Sequence, residues 1–172
     1  MRRFLLALSF LCAAHAAVAS STIPSKGTIE VAFSPNGGAT ALVVKTIAGA
    51  RKSILVQAYS FTSAPIARAL AQAKGRGVDV RVLLDKSQKS ERYTVATYLS
   101  NHGIPTWIDR QHAIAHNKVM VIDGDTVITG SFNFTKAAEE KNAENVLVLR
   151  GNSELARFFS ENWLAHQAHS DN

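Results

Sequence analysis

The stretch AHNKVMVIDGDTVITGSFNFT, residues 115 to 135, carries polar groups at regular spacing through an otherwise apolar run. His116 and Lys118 stand two positions apart. On a strand, side chains alternate faces, so these two project together while Asn117 and Val119 project to the opposite side. Asp123-Gly124-Asp125 is a tight-turn signal between two apolar segments, which predicts an antiparallel hairpin that brings Ser131 and Asn133 back toward His116. Gly130 lets the backbone approach closely there. The set comprises a nucleophile or base, a fixed positive charge and two neutral hydrogen-bonding side chains. It suits a phosphoryl group better than a carbonyl, because phosphate offers several anionic oxygens for Lys118 and Asn133 to hold.

Two carboxylates lie close by in sequence. Asp123 sits at the turn and at odd parity from His116, which assigns it a structural role in support of the site. Glu144, in NAENVLV, opens a strand that can lie beside the hairpin. Its carboxylate can accept from the His116 ring nitrogen opposite the reacting one and so fix the tautomer.

The elements that must position these groups are legible from periodicity. TIEVAF reads as a strand, SPNGG as a turn and ATALVVKTIAGA as a helix; SILVQAYSF is a buried strand. Ser63, Pro65 and Gly75 bracket a helix over TSAPIARALAQAKGRG, with Gly75 expected beyond the last turn. VDVRVLL is a strand, SERYTVATYLSNHG a helix stopped at Gly103, and IPTWI a short strand. Past the hairpin, FNFTKAAEEKN is a short helix or ordered loop and AENVLVL a buried strand. Asn152 or Ser153 starts a closing amphipathic helix. Strand and helix in alternation predict a layered α/β fold with an at least partly parallel sheet.

The chain has 172 residues, 47% of them hydrophobic, enough for a sizeable core. Arg2 and Arg3 precede an apolar run from Phe4 to Val18, and Ala17-Val18-Ala19 fits a cleavage site. Residues 1–19 therefore read as a signal peptide and 20–172 as a single catalytic domain, periplasmic or secreted. Cys12, the one cysteine, leaves with that leader, so the mature chain forms no disulfide. The formal charge of +6 favours anionic partners such as nucleic acid or acidic lipid.

The pattern H-x-K-x4-D-x6-G-S-x-N, supplied by His116, Lys118, Asp123, Gly130, Ser131 and Asn133, is similar to the signature of the phospholipase D superfamily. The short chain, AYSFTS at 58 to 63 and NAEN at 142 to 145 resemble its Nuc-type bacterial endonucleases. The resemblance implies an α/β/α sandwich with a mixed sheet and phosphodiester cleavage through a phosphohistidine, with no metal and no cofactor. It also implies that Glu144 supports the nucleophilic histidine. Double-length members of the family carry two signatures in one site. His15, His102, His112, His166 and His169 have no lysine two positions later, so the second histidine must come from a second chain in a homodimer.

The expected substrate is nucleic acid, DNA or RNA, with membrane lipid as the alternative served by the same chemistry. A silent DNA-binding dimer is disfavoured by the intact motif. Lys86, Lys89, Arg92 and Arg110 are candidates to track a nucleic-acid backbone. His166 and His169, without a nearby Cys or Asp, read as a solvated helix end rather than a metal pair. Trp163, Phe158 and Phe159 read as packing residues, and Phe132 and Phe134 as either core or pocket wall.

Overall fold

The computed structural model describes residues 20–89 and 95–171. Its elements are β1 (Thr28–Ser34), α1 (Ala39–Ala48), β2 (Ser53–Ala58), α2 (Ala64–Gly75), β3 (Asp79–Asp85), α3 (Val95–Asn101), β4 (Thr106–Asp109), β5 (Lys118–Ile122), β6 (Thr126–Gly130), α4 (Lys136–Glu140), β7 (Glu144–Arg150) and α5 (Ser153–Gln167), with a 3-10 turn at Lys86–Lys89. The strands form one seven-stranded sheet in the order β1-β7-β6-β5-β2-β3-β4. β2, β3 and β4 run parallel, and every other neighbouring pair is antiparallel. The predicted leader, Arg92 and the start of the predicted third helix lie outside the described residues.

Alternation along the strands sends apolar side chains to both faces of the sheet. Ile54, Val56, Val80, Val82, Met120, Ile128 and Val148 join one cluster with Val43 and Ile47 of α1 and Ile66 and Leu70 of α2. Val119, Val121 and Val127 pack with Ala156 of α5 on the other face. The result is an α/β/α sandwich. Trp163 anchors α5 to the sheet, since its indole N–H donates to the Val56 carbonyl at 2.8 Å.

Several local signals act through different groups than expected. Gly75 is the last residue of α2; Arg76 caps it, and Gly77, with φ 89°, makes the left-handed turn. Ser63 occupies the N-cap of α2, but its side chain makes no capping bond, and its N–H donates to Phe134 O instead. Asn152 caps α5 by accepting from Leu155 N at 3.1 Å.

The two edges of the sheet differ. Ile29, Val31 and Phe33 of β1 are 56%, 54% and 62% exposed. At β4, Ile108 exchanges two backbone hydrogen bonds with Asp171, so the segment after α5 covers that edge.

Candidate active site

The end of the sheet where the parallel strands finish gathers every residue of the motif except Asp123. β2 leaves the sheet after Ala58, which pairs with Lys118 at the start of β5, and Tyr59 N–H donates to Asn117 O at 2.8 Å. His116 therefore sits just ahead of the strand, exposed, with its ring 4.5 Å from the Tyr59 ring centroid. Lys118 is buried, its ammonium 5.0 Å from the same centroid and donating to the His116 carbonyl at 2.8 Å. Tyr59 thus lies against both groups. Its spacing in the sequence gives it only a place in the strand SILVQAYSF; its position past the end of β2, against the histidine, is what gives it a role.

Gly130 ends β6 with φ 148°, and a Cβ there would stand 2.3 Å from Asn145 O. The missing side chain lets the following loop fold onto β7, where Ser131 N–H and Phe132 N–H both donate to Asn145 O at 3.1 Å. The Ser131 hydroxyl accepts from Asn145 N at 3.1 Å and Nδ2 at 3.3 Å. Phe132 and Phe134 are fully buried in the core, so they are not pocket walls but the two anchors on either side of Asn133. Between them, Asn133 Oδ1 is buried and has no hydrogen-bond partner among the described residues. An unpaired buried carbonyl oxygen is costly to maintain, and because it is an acceptor, the part of Asn133 that can meet an anionic oxygen is its Nδ2.

No hydrogen bond joins Glu144 to His116, where the sequence predicts one. Glu144 accepts from Asn142 Nδ2 at 3.1 Å, and its field acts on Lys118. Val146 pairs with Gly130 and Val148 with Ile128, which pairs with Met120, so alternation puts Glu144 on the sheet face that Lys118 shares, at the end of the sheet where His116 precedes β5. Burial lowers the pKa of the Lys118 ammonium, and Glu144 opposes that shift. Desolvation sharpens the lysine's pull on an anion, and the carboxylate keeps it protonated.

Asp123 sits at the far end of the hairpin with φ 54° and accepts from the backbone N–H groups of Arg51, Lys52 and Ser53 at 2.7 to 3.2 Å. Burial would raise its pKa, but these bonds outweigh it and the pKa is lowered. Among the candidate backbone-tracking cations, Lys86 donates to the His112 carbonyl at 2.9 Å and Arg110 pairs with Asp171 at 2.6 Å. Asp85, at the end of β3, accepts from Ala115 N at 2.7 Å and so tethers the loop that delivers His116.

Sheet order, the hairpin and this assembly of polar groups define a phosphodiesterase of the phospholipase D superfamily, and the chain belongs to it: residues 43–163 match the family described as "Cardiolipin synthase, PLD-like domain". Within the superfamily it falls with the Nuc-type proteins. It is 43% identical to Nuc of Salmonella typhimurium, a phospholipase D family member, whose structure superposes with a TM-score of 0.80 over 84% of this chain and 96% of that one. NucT from Helicobacter pylori shares the fold, with a TM-score of 0.74 at 22% identity over 83% of this chain and 98% of that one. A Rickettsia conorii protein named "Phospholipase D" is 42% identical over 84% of this chain and 72% of its own length.

Proposed function

We propose that the protein is an exported, metal-independent endonuclease of low sequence preference, acting through a phosphohistidine at a site shared by two copies. The reading is carried by His116 and Lys118 meeting over Tyr59 at an open sheet end. One His116 attacks phosphorus, forming an N–P bond as the P–O bond breaks, and the leaving oxygen takes a proton from the His116 of the second copy. That second histidine then takes a proton from water; the hydroxide attacks phosphorus and the N–P bond breaks. Lys118 and Asn133 hold the phosphoryl oxygens, while Ser131 shapes the loop that presents Asn133. Nucleic acid as substrate is supported by the net charge of +6 and the likeness to Nuc.

A composite site has a quantitative signature. If wild-type and His116→Ala chains are mixed equally, unfolded and refolded, activity per total protein falls to about one quarter; independent sites would leave about one half. A linear dependence on the wild-type fraction rejects the shared site. Cleavage in excess chelator should equal cleavage without it, and loss of turnover from folded protein would reject metal-free chemistry.

The second reading, hydrolysis of phospholipid, is favoured by the Rickettsia relative's name and by Ile114, 56% exposed two residues before His116. Plasmid DNA and labelled anionic vesicles, offered to the same preparation, separate the two. No helix among the described residues is long and apolar enough to cross a membrane.

A further inference from the structure

Asp109 ends β4 at the same end of the sheet as His116, and its side chain is fully buried. Its Oδ2 is approached by three imidazole nitrogens: His166 Nδ1 at 2.6 Å, His112 Nδ1 at 3.0 Å and His169 Nε2 at 3.5 Å. The three rings crowd one another, with centroids 4.7 to 5.4 Å apart. One donor atom from each of the four residues lies within 4.8 Å of all the others.

We propose that Asp109, His112, His166 and His169 bind one divalent transition-metal ion of the zinc type. The donor set of three imidazoles and one carboxylate matches zinc rather than calcium or magnesium, which take oxygen ligands. Donors about 2 Å from a tetrahedral ion stand roughly 3.3 Å apart, so ring shifts of about an ångström close the site. Four protein ligands leave no open position, which makes the site structural. Hydrogen bonding accounts for His166 and for His112, which reaches both Asp109 oxygens at 3.0 and 3.2 Å, but not for His169, whose Nε2 stands 3.5 Å from Oδ2 without a hydrogen bond to it. The ligands come as two pairs of one spacing, Asp109-x2-His112 and His166-x2-His169, one at the end of β4 and one at the end of α5.

An ion there would join the end of α5 to the loop 110–115, which runs directly into His116. The backbone of that loop is already held at His112 by Lys86 and at Ala115 by Asp85. The ion would complete its attachment on the third side. The site takes no part in the proposed phosphodiester chemistry, and its test does not depend on that reading.

The test uses mature chain without affinity histidines, treated with chelator, dialysed and titrated with cobalt(II). Metal analysis and visible absorption give the stoichiometry and the geometry. One cobalt per folded chain is expected, with the intense bands of tetrahedral coordination, displaced by zinc and not by calcium. His166→Ala and Asp109→Asn should weaken binding at least tenfold, and zinc should raise the melting temperature of the wild-type chain only. His112→Gln alters the most exposed imidazole and spares the fold, so it keeps the test decisive if Asp109→Asn does not fold; His102→Ala should bind as wild type. Folded wild-type protein that leaves cobalt in its octahedral aqua form, or binding unchanged by His112→Gln and His166→Ala, overturns the proposal.

Discussion

Two groups of histidine lie at one end of the sheet, about 15 Å apart by the three strand spacings from β5 to β4, and they are built in opposite ways. His116 is exposed, and among the described residues its ring nitrogens make no hydrogen bond; its neighbours are an aromatic face and a desolvated lysine. His112, His166 and His169 converge on a buried carboxylate that their own nitrogens occupy. A polar group left unpaired awaits something from outside, whereas one closed upon its neighbours holds the fold. On the proposed function, the same side chain serves chemistry in one place and cohesion in the other, according to what the adjacent strand end supplies.

If that contrast is right, substitutions in the two groups should separate activity from stability. The largest effect belongs to His116→Ala: turnover should fall by at least about a thousandfold while the melting temperature stays unchanged. Lys118→Ala and Asn133→Ala should each cripple turnover in folded protein. Substantial activity in His116→Ala would remove the basis of the comparison.

Asp123→Ala is the next largest. It strips acceptors from three backbone N–H groups at the far end of the hairpin and should cost about 2 to 3 kcal/mol of stability, with activity retained by the folded fraction. Denaturant unfolding with parallel rate measurements checks this. Unchanged stability with lost activity would make Asp123 part of the chemistry.

The crowded carboxylate predicts a pH effect. Burial alone would raise the Asp109 pKa, but hydrogen bonds from His166, His112 and Gln111 N–H outweigh it and bring the pKa from 3.8 to about 2. A depressed carboxyl stabilises the fold above its unfolded value and loses that contribution as pH falls through the folded one. The metal-free chain should therefore lose about 2 kcal/mol between pH 4 and 2 from this group. Asp109→Asn should flatten that part of the acid limb, while the pH profile of turnover keeps its shape.

The smallest effect sharpens the catalytic side alone. Glu144→Gln should lower the rate about tenfold and move the alkaline limb of the pH–rate profile to lower pH, since the lost charge is the one that raises the Lys118 pKa. A limb that stays in place would separate Glu144 from Lys118.

The hairpin that carries the candidate site was legible because its signal is local. His116, Lys118 and Asn133 lie on one hairpin, and a hairpin's geometry follows from its turn and its alternation. Glu144 was placed in the right neighbourhood, but its hydrogen bond to Asn142 and its field on Lys118 follow from how three strand ends meet, which spacing along the chain does not give. The Asp109 cluster was missed for a related reason. His166 stands 57 residues from Asp109, and they meet only because α5 crosses back over the sheet to β4. The shared spacing of DRQH and HQAH was the available clue, and it has meaning only once both ends are known to coincide.

The unequal edges of the sheet bear on how copies can associate. At β4, Ile108 already spends its N–H and carbonyl on Asp171, whereas β1, beyond β7, displays Ile29, Val31 and Phe33 and pairs with no further strand among the described residues. A sheet open at both sides could be extended indefinitely by copies joining head to tail. With one side shut, its valency through the strand edges is one: two copies meeting at β1 use up both open strands, and because β1 lies three strands from β5 that contact is separate from one that joins two His116.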